Sequence, residues 1–266
     1  MFFRKASWTI ALGATLGLFL GSGAATAGGV KDGFVGPDGG AKAFVMYSGF
    51  DVANDVNYAY QGLIYSFNRD IGRDGFLLRL YGSHVDYEYD NSGVPGGRVD
   101  GDGWQGDVMI GYKIGRGVWW AAGYIGVDYQ DHDLTPNDFS NPVRGSEVGF
   151  KVSADMATLR EGTPLYFSLG GEYSTAFNSY WARARVGLNQ PRYTFGPEFI
   201  AMGSDSFDAQ RVGAFLTFDL NLTPTMPIEV TISGGYQFVG DSNNGDGFGS
   251  GGGEGGYGGV NFTVLF

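Results

Sequence analysis

The sequence predicts an all-β protein: an antiparallel, up-and-down transmembrane β-barrel of about twelve strands, preceded by a cleaved signal peptide. Three observations predict it. The first is the stretch 257–266, which reads Y-G-G-V-N-F-T-V-L-F. Val260, Phe262, Val264 and Phe266 share one parity, and Asn261 and Thr263 share the other. Successive side chains of a strand point to opposite faces, so one face here is apolar and ends on an aromatic ring. A closed barrel in a membrane pairs its last strand with its first and leaves no edge, which suits a final strand of this kind. The second observation is that the same alternation recurs along the chain. The third is a secretory N-terminus.

Composition agrees. Gly makes up 48 of the 266 residues and aromatics 16%, a mixture that favours many short strands and turns. Mean hydropathy is close to zero, which does not argue against a membrane, because an alternating strand averages its apolar and polar faces. The absence of Cys excludes a disulfide framework and thiolate metal sites. A net charge of −11 argues against a nucleic-acid partner, since such proteins neutralise phosphates with clustered Lys and Arg.

At the N-terminus, Arg4 and Lys5 precede an apolar stretch over 8–20 and an A-x-A site at Ala25-Thr26-Ala27. The apolar run is too short and too often interrupted by Gly for a membrane anchor, and the pattern is that of a signal peptide. The expected organisation is a signal peptide over 1–27, a short periplasmic lead over 28–40 and the barrel over 41–266. No later run of apolar residues is long enough for a spanning helix.

The strands are expected at about 41–51, 58–67, 76–89, 104–114, 118–129, 146–156, 165–173, 180–188, 193–202, 210–220, 228–238 and 257–266. The fourth has the cleanest pattern: Trp104, Val108, Ile110, Tyr112 and Ile114 alternate with Gln105, Asp107 and Lys113. In the third, the apolar parity changes near Gly82, from Phe76, Leu78 and Leu80 to Val85, Tyr87 and Tyr89, which reads as a β-bulge. An even strand number puts both barrel ends on the periplasmic side. The long polar connections 90–103, 130–145 and 240–256 then all follow odd-numbered strands and face outward, while connections after even-numbered strands are short.

Charges of both signs fall opposite the apolar parity and are expected in the lumen as paired networks: Asp107, Lys113, Glu147, Lys151, Asp155, Glu172, Arg183, Arg185, Glu198, Arg211, Asp219 and Glu229. A secreted soluble sandwich would also alternate, but it does not explain the sorting of the loops. Twelve strands lie between small barrels filled by side chains and large open channels, so the sequence leaves the openness of the lumen undecided.

Several stretches carry a resemblance. They are D-Y-Q-D-H-D-L-T-P-N-D-F-S-N-P-V-R-G at 128–145, S-Y-W-A-R-A-R-V-G-L at 179–188, G-P-E-F at 196–199, Q-R-V-G-A at 210–214 and S-G-F-D at 48–51. From about residue 45 onward the chain resembles the bacterial cellulose biosynthesis protein BcsS family. Phe266 on its alternating strand also resembles the C-terminal signal recognised by outer-membrane assembly machinery. The resemblance implies a non-enzymatic outer-membrane component of cellulose production in a Gram-negative bacterium, acting as pore or docking site for the exported glucan. The expected partners are outer-membrane lipid, cellulose (β-1,4-glucan) and other cellulose-synthase subunits. The alternatives are a general small-solute channel and a surface enzyme acting on lipid or glycan.

Catalytic chemistry finds little support. Ser83 and His84 adjoin, so on a strand they point to opposite faces, and no G-x-S-x-G is present. Asp131-His132-Asp133 offers metal ligands, yet three consecutive strand residues cannot all face one ion. The Gly/Asp-rich run 241–256 lacks the nine-residue period of calcium repeats and reads as a surface loop. No catalytic, cofactor or metal residue is therefore expected. Aromatic faces beside polar donors suit a glucan, whose C–H surface stacks while its hydroxyls take hydrogen bonds. Trp120, Tyr124, Trp181, Arg183 and Arg185 are the candidate glucan contacts. The loop over 130–145 is expected to be ordered, because Pro136 and Pro142 fix φ and Asp133, Asn137, Asp138 and Asn141 hold turns. Its residues Asp131, His132, Asp133, Pro136, Asp138 and Arg144 are the candidate mouth loop. It is expected to fold inward and narrow the pore, with Arg144 meeting lumen carboxylates.

Overall fold

The structure, a computed structural model, describes residues 41–160, 163–223, 226–240 and 253–266. The predicted signal peptide, the lead 28–40 and most of the 241–256 run lie outside the described residues. Twelve antiparallel strands close into one barrel in which each strand pairs with its sequence neighbours. They are β1 Phe44–Ala53, β2 Val56–Ser66, β3 Gly75–Asp90, β4 Arg98–Arg116, β5 Trp119–Thr135 and β6 Gly145–Thr158. The second half comprises β7 Leu165–Ser174, β8 Tyr180–Asn189, β9 Tyr193–Ser204, β10 Phe207–Thr223, β11 Met226–Val239 and β12 Gly255–Leu265. β12 pairs with β1 from Val45↔Leu265 to Val52↔Gly258, so no strand edge is left open. Phe44 stacks on Phe266 across this seam at 5.4 Å.

The outward face is a belt of apolar side chains. Ile110, Ile125, Val127, Phe150, Val186, Val212 and Ile232 all stand exposed, Val127 by 59%. A belt this continuous needs an apolar solvent. Aromatic rings edge it at the end where β1 begins and β12 finishes: Phe266, Phe44, Tyr65 and Phe67 follow one another at 4.9–5.4 Å, and Phe76 meets Tyr112 at 5.0 Å. Such rings suit the level of the lipid headgroups.

The alternation holds inside as well. Of the twelve charges expected in the lumen, Asp107, Lys113, Lys151, Asp155, Arg183, Arg185, Glu198, Arg211 and Glu229 are buried, and Glu172 shows only 6% of its side chain. Asp219 is partly buried, and Glu147 is exposed near the outer rim, where its carboxylate accepts from the Phe177 amide. Large rings lie flat on the inner wall where the neighbouring strand offers a glycine. The Tyr47 ring occupies the space over Gly62, where a Cβ would come within 2.1 Å of it.

Two expectations need correction. Gly82 is no bulge, for β3 pairs without a register shift through Gln61↔Gly82 and Gly82↔Gly106. The parity change has another cause. Below it the outward residues are Phe76, Leu78 and Leu80; above it they are His84, Asp86, Glu88 and Asp90, while Val85, Tyr87 and Tyr89 turn inward. From this height on the outer face of β3 is polar, as expected of a strand that rises out of lipid into water. The same inversion hides strand in the expected loops. Residues 98–103 belong to β4 and 130–135 to β5, joined by pairs from Asp100↔Thr135 to Gln105↔Gln130. β3–β6 therefore form a tall wall of 14–19 residues per strand, against 10 in β7 and β8.

Candidate functional site

The interior divides into a floor, a cage and an outer cavity. At the floor, the turn between β2 and β3 tucks Ile71 into the barrel end, where it is 2% exposed. The Lys113 ammonium donates to the Ile71 carbonyl and lies 5.8 Å from the centroid of the Trp120 ring. Arg160, from the connection after β6, reaches in to Asp219 at 2.8 Å and Glu229 at 3.2 Å.

The cage lies at mid-height. Arg79 on β3 contacts Asp107 on β4 at 3.0 Å and Glu172 on β7 at 3.1 Å. Lys151 on β6 contacts the same two carboxylates at 2.8 and 2.9 Å. Two cations and two anions thus alternate around one ring, and none of the four side chains exceeds 6% exposure. Charges survive such burial only when each is paired and hydrogen-bonded. Arg79 also donates to the Ser153 hydroxyl at 3.1 Å and packs 5.5 Å from the ring centroids of Tyr81 and Tyr124. Beside the cage, Arg185 pairs with Glu198, which also accepts from the Tyr257 hydroxyl at 3.2 Å. The cage and the rings of Tyr81 and Tyr124 packed against it are buried inside the barrel.

Above the cage, a cavity of about 220 Å³ opens toward the outer rim. Tyr58, Tyr87, Tyr89, His132 and Trp181 supply its rings, with polar groups from Gln105, Gln130, Ser179, Arg211 and Gln237. The rings are held by neighbours. Tyr87 stacks on Tyr89 at 6.3 Å and meets His132 edge-on at 6.1 Å. The Arg183 guanidinium lies 5.1 Å from the Trp181 centroid. Gly101 gives Tyr87 its room: a Cβ there would come within 2.3 Å of the ring. The amides are fixed as well. Asp128 accepts from Gln130 at 2.8 Å and from Gln105 at 3.2 Å, and Gln130 also donates to Ser179 at 2.7 Å.

The structure separates the predicted glucan contacts. Trp181 lines the cavity, whereas Trp120 belongs to the floor and Tyr124 packs on the cage. Arg183 and Arg185 are buried in the lumen, Arg183 behind the indole and Arg185 on Glu198. The mouth loop is shorter than expected, spanning 136–144, because Asp131, His132 and Asp133 are part of β5. Of these three His132 turns inward, while Asp131 and Asp133 pair opposite the outward Trp104 and Asp102. Asp138 anchors the loop: it accepts from Tyr89 at 2.9 Å and from Asn91 at 2.7 Å. Asn141 donates to the Tyr89 hydroxyl at 2.9 Å, and Asn141 and Val143 border the cavity. Arg144 does not reach a lumen carboxylate. It lies 5.2 Å from the centroid of Phe139, itself 76% exposed, because it stands at the solvent side of the loop.

Burial works against ionisation of Asp138, but hydrogen bonds from Ser140, Asn91 and Tyr89 outweigh it and hold the carboxyl below its ordinary range. Outside the barrel, His84, Asp86 and Asp102 bring their ligand-type atoms within 4.8 Å of one another, with His84 2.7 Å from Asp102. Ser83 turns inward and His84 outward, so the two do not meet.

Sequence reasoning missed Arg79, which sits between Leu78 and Leu80 and looks like a break in an apolar run. It also missed Arg160, placed by a turn, and Tyr58 and Tyr87. Strict parity counting from Tyr81 would have found Arg79; nothing local marks Arg160.

Fold and interior together define a closed antiparallel β-barrel of the membrane-spanning kind, with a buried charge cage in its interior and a cavity toward one end. A sequence model of the family described as cellulose biosynthesis protein BcsS matches residues 45–266, and the chain belongs to that family. No curated protein matches the chain. Among solved structures, a KdgM porin in complex with disordered oligogalacturonate aligns at 11% identity and a TM-score of 0.36, over 84% of this chain and 98% of the porin. CdiB from Acinetobacter baumannii aligns at 9% identity and 0.35, over 85% of this chain; the match spans 60% of CdiB. The outer membrane protein OprD from Pseudomonas aeruginosa aligns at 12% and 0.28, over 89% and 94% of the two chains.

Proposed function

We propose that this protein is a non-enzymatic outer-membrane component of cellulose production that docks at its outer face instead of conducting glucan through its lumen. The cage of Arg79, Asp107, Lys151 and Glu172 carries the reading. A glucan threading the barrel would have to part four mutually paired buried charges, and it offers only neutral hydroxyls in return. The apolar belt and its aromatic edge support placement in the outer membrane. The opposite facing of Ser83 and His84 supports a non-enzymatic role. Two measurements test this together. Loss of the gene is expected to reduce or alter extracellular cellulose, and the purified barrel in planar bilayers is expected to pass little current. A large steady conductance would replace docking by conduction, and unchanged cellulose would remove the link to secretion.

A further inference from the structure

The outer cavity is built to hold something. Its rings and amides are locked in place from behind, and locked groups lose little entropy when a ligand arrives. Trp181 is fixed by Arg183, Tyr87 by Tyr89 and His132, and Gln130 by Asp128 and Ser179. We propose that this cavity is a binding site for the end of a neutral, β-linked glucan, with the Trp181 indole as its stacking platform. The inference rests on the docking reading above and adds the ligand class and the residues.

Three features select that class. Aromatic faces suit sugars whose hydroxyls are equatorial, because their ring faces then carry only C–H groups. Gln105 and Gln237 each keep one N–H and one carbonyl lone pair beyond their internal hydrogen bonds, and Gln130, whose two N–H groups go to Asp128 and Ser179, keeps its carbonyl oxygen, so the lining both donates and accepts, as neutral hydroxyls require. The third feature is charge. Within the lining, Asp51 offsets Arg211, so no sign predominates. The tall wall around the rim turns Asp86, Asp100, Asp102 and Asp133 outward, in a chain of net charge −11. That field repels a polyuronate before it reaches the cavity. At about 220 Å³ the cavity is smaller than a drug-sized pocket, so it admits the terminal sugar unit of a chain end and no folded partner.

The experiment is calorimetric titration of the purified, detergent-solubilised full-length mature protein with cellohexaose, with hexagalacturonate and with maltohexaose. Heat-modifiable gel mobility reports folding of each variant. Cellohexaose is expected to bind, hexagalacturonate not to bind at low salt, and maltohexaose to bind more weakly. Trp181→Ala, still folded, is expected to weaken cellohexaose by about tenfold or more. Trp120→Phe, at the floor, is expected to leave it unchanged. Absence of cellohexaose binding, or equal binding by folded Trp181→Ala, overturns the proposal, and equal binding of hexagalacturonate overturns its neutral selectivity. These outcomes separate from failure of the docking reading. If cellulose is altered on gene loss but cellohexaose does not bind, the role stands and the site falls. If cellohexaose binds through Trp181 while gene loss leaves cellulose unchanged, the site stands and the role falls.

Discussion

The cage and the outer cavity occupy one lumen, yet they are stabilised in opposite ways. In the cage the charges are committed to one another: Arg79 and Lys151 share Asp107 and Glu172. In the cavity the rings of Tyr58, Tyr87 and Trp181 are supported from the side, and the cavity borders them. On the proposed docking reading, the barrel is closed in its lower part and receptive in its upper part without any moving piece. The difference is one of partners: closure comes from groups that satisfy each other, receptivity from groups held in place by a second layer.

The sharpest way to break this contrast is to unpair the cage. Glu172→Ala leaves two buried cations to one carboxylate, and removal of one partner from such a set is expected to cost about 3–5 kcal/mol, read as a lower urea midpoint in detergent or liposomes. Removing opposite charges together should spare stability but open the lumen. Arg79→Ala with Glu172→Ala is expected to raise single-channel conductance several-fold, whereas deletion of 136–144 leaves it near the parent value. The reverse pattern would move the constriction from the cage to the loop. Next comes the wall of the cavity. Gly101→Ala drives a methyl into the Tyr87 ring and is expected to destabilise by about 1–3 kcal/mol and to weaken any cavity ligand. Asp138→Ala removes the acceptor of the Tyr89 hydroxyl and the Asn91 amide at the loop anchor, with an expected loss of about 1–3 kcal/mol, most of it local and read as faster proteolysis within 136–144. The smallest effect is that of pH on the same anchor. The Asp138 carboxyl is depressed in the folded state, so its contribution is fully present above the ordinary carboxylate value of 3.8 and is lost as pH falls through the lowered folded value. Loop proteolysis is thus expected to stay slow down to about pH 4 and to rise only below it.

The barrel was legible because one rule, alternation, governs every strand that lies in lipid. It carried the strand number and the inward facing of nearly all the charges. Where lipid ends the rule inverts, and that is where the reading failed: 98–103 and 130–135 look like loops because their outward residues meet water. The inward direction of Trp120, Tyr124 and Trp181 could be read from parity, but their heights could not. Height depends on register and on where the membrane lies, so Trp120 and Trp181 look equivalent in sequence and stand at opposite ends of the lumen. The cage was legible only as a list of charges, and that list lacked Arg79. Its pairings join Arg79 to Glu172, 93 positions away, and Lys151 to Asp107, 44 away, across strands that no local pattern relates.

The seam between β1 and β12 sets the order of assembly. Every other ladder joins strands adjacent in sequence, whereas this one unites Val45 with Leu265 across almost the whole chain. Loop-closure entropy and sequence separation both make it the slowest contact to form. Until it does, two rows of unsatisfied amides and carbonyls border an open sheet, which lipid cannot tolerate. Closure and insertion are therefore expected to be one kinetic event, with the half-made sheet sheltered until the last strand arrives.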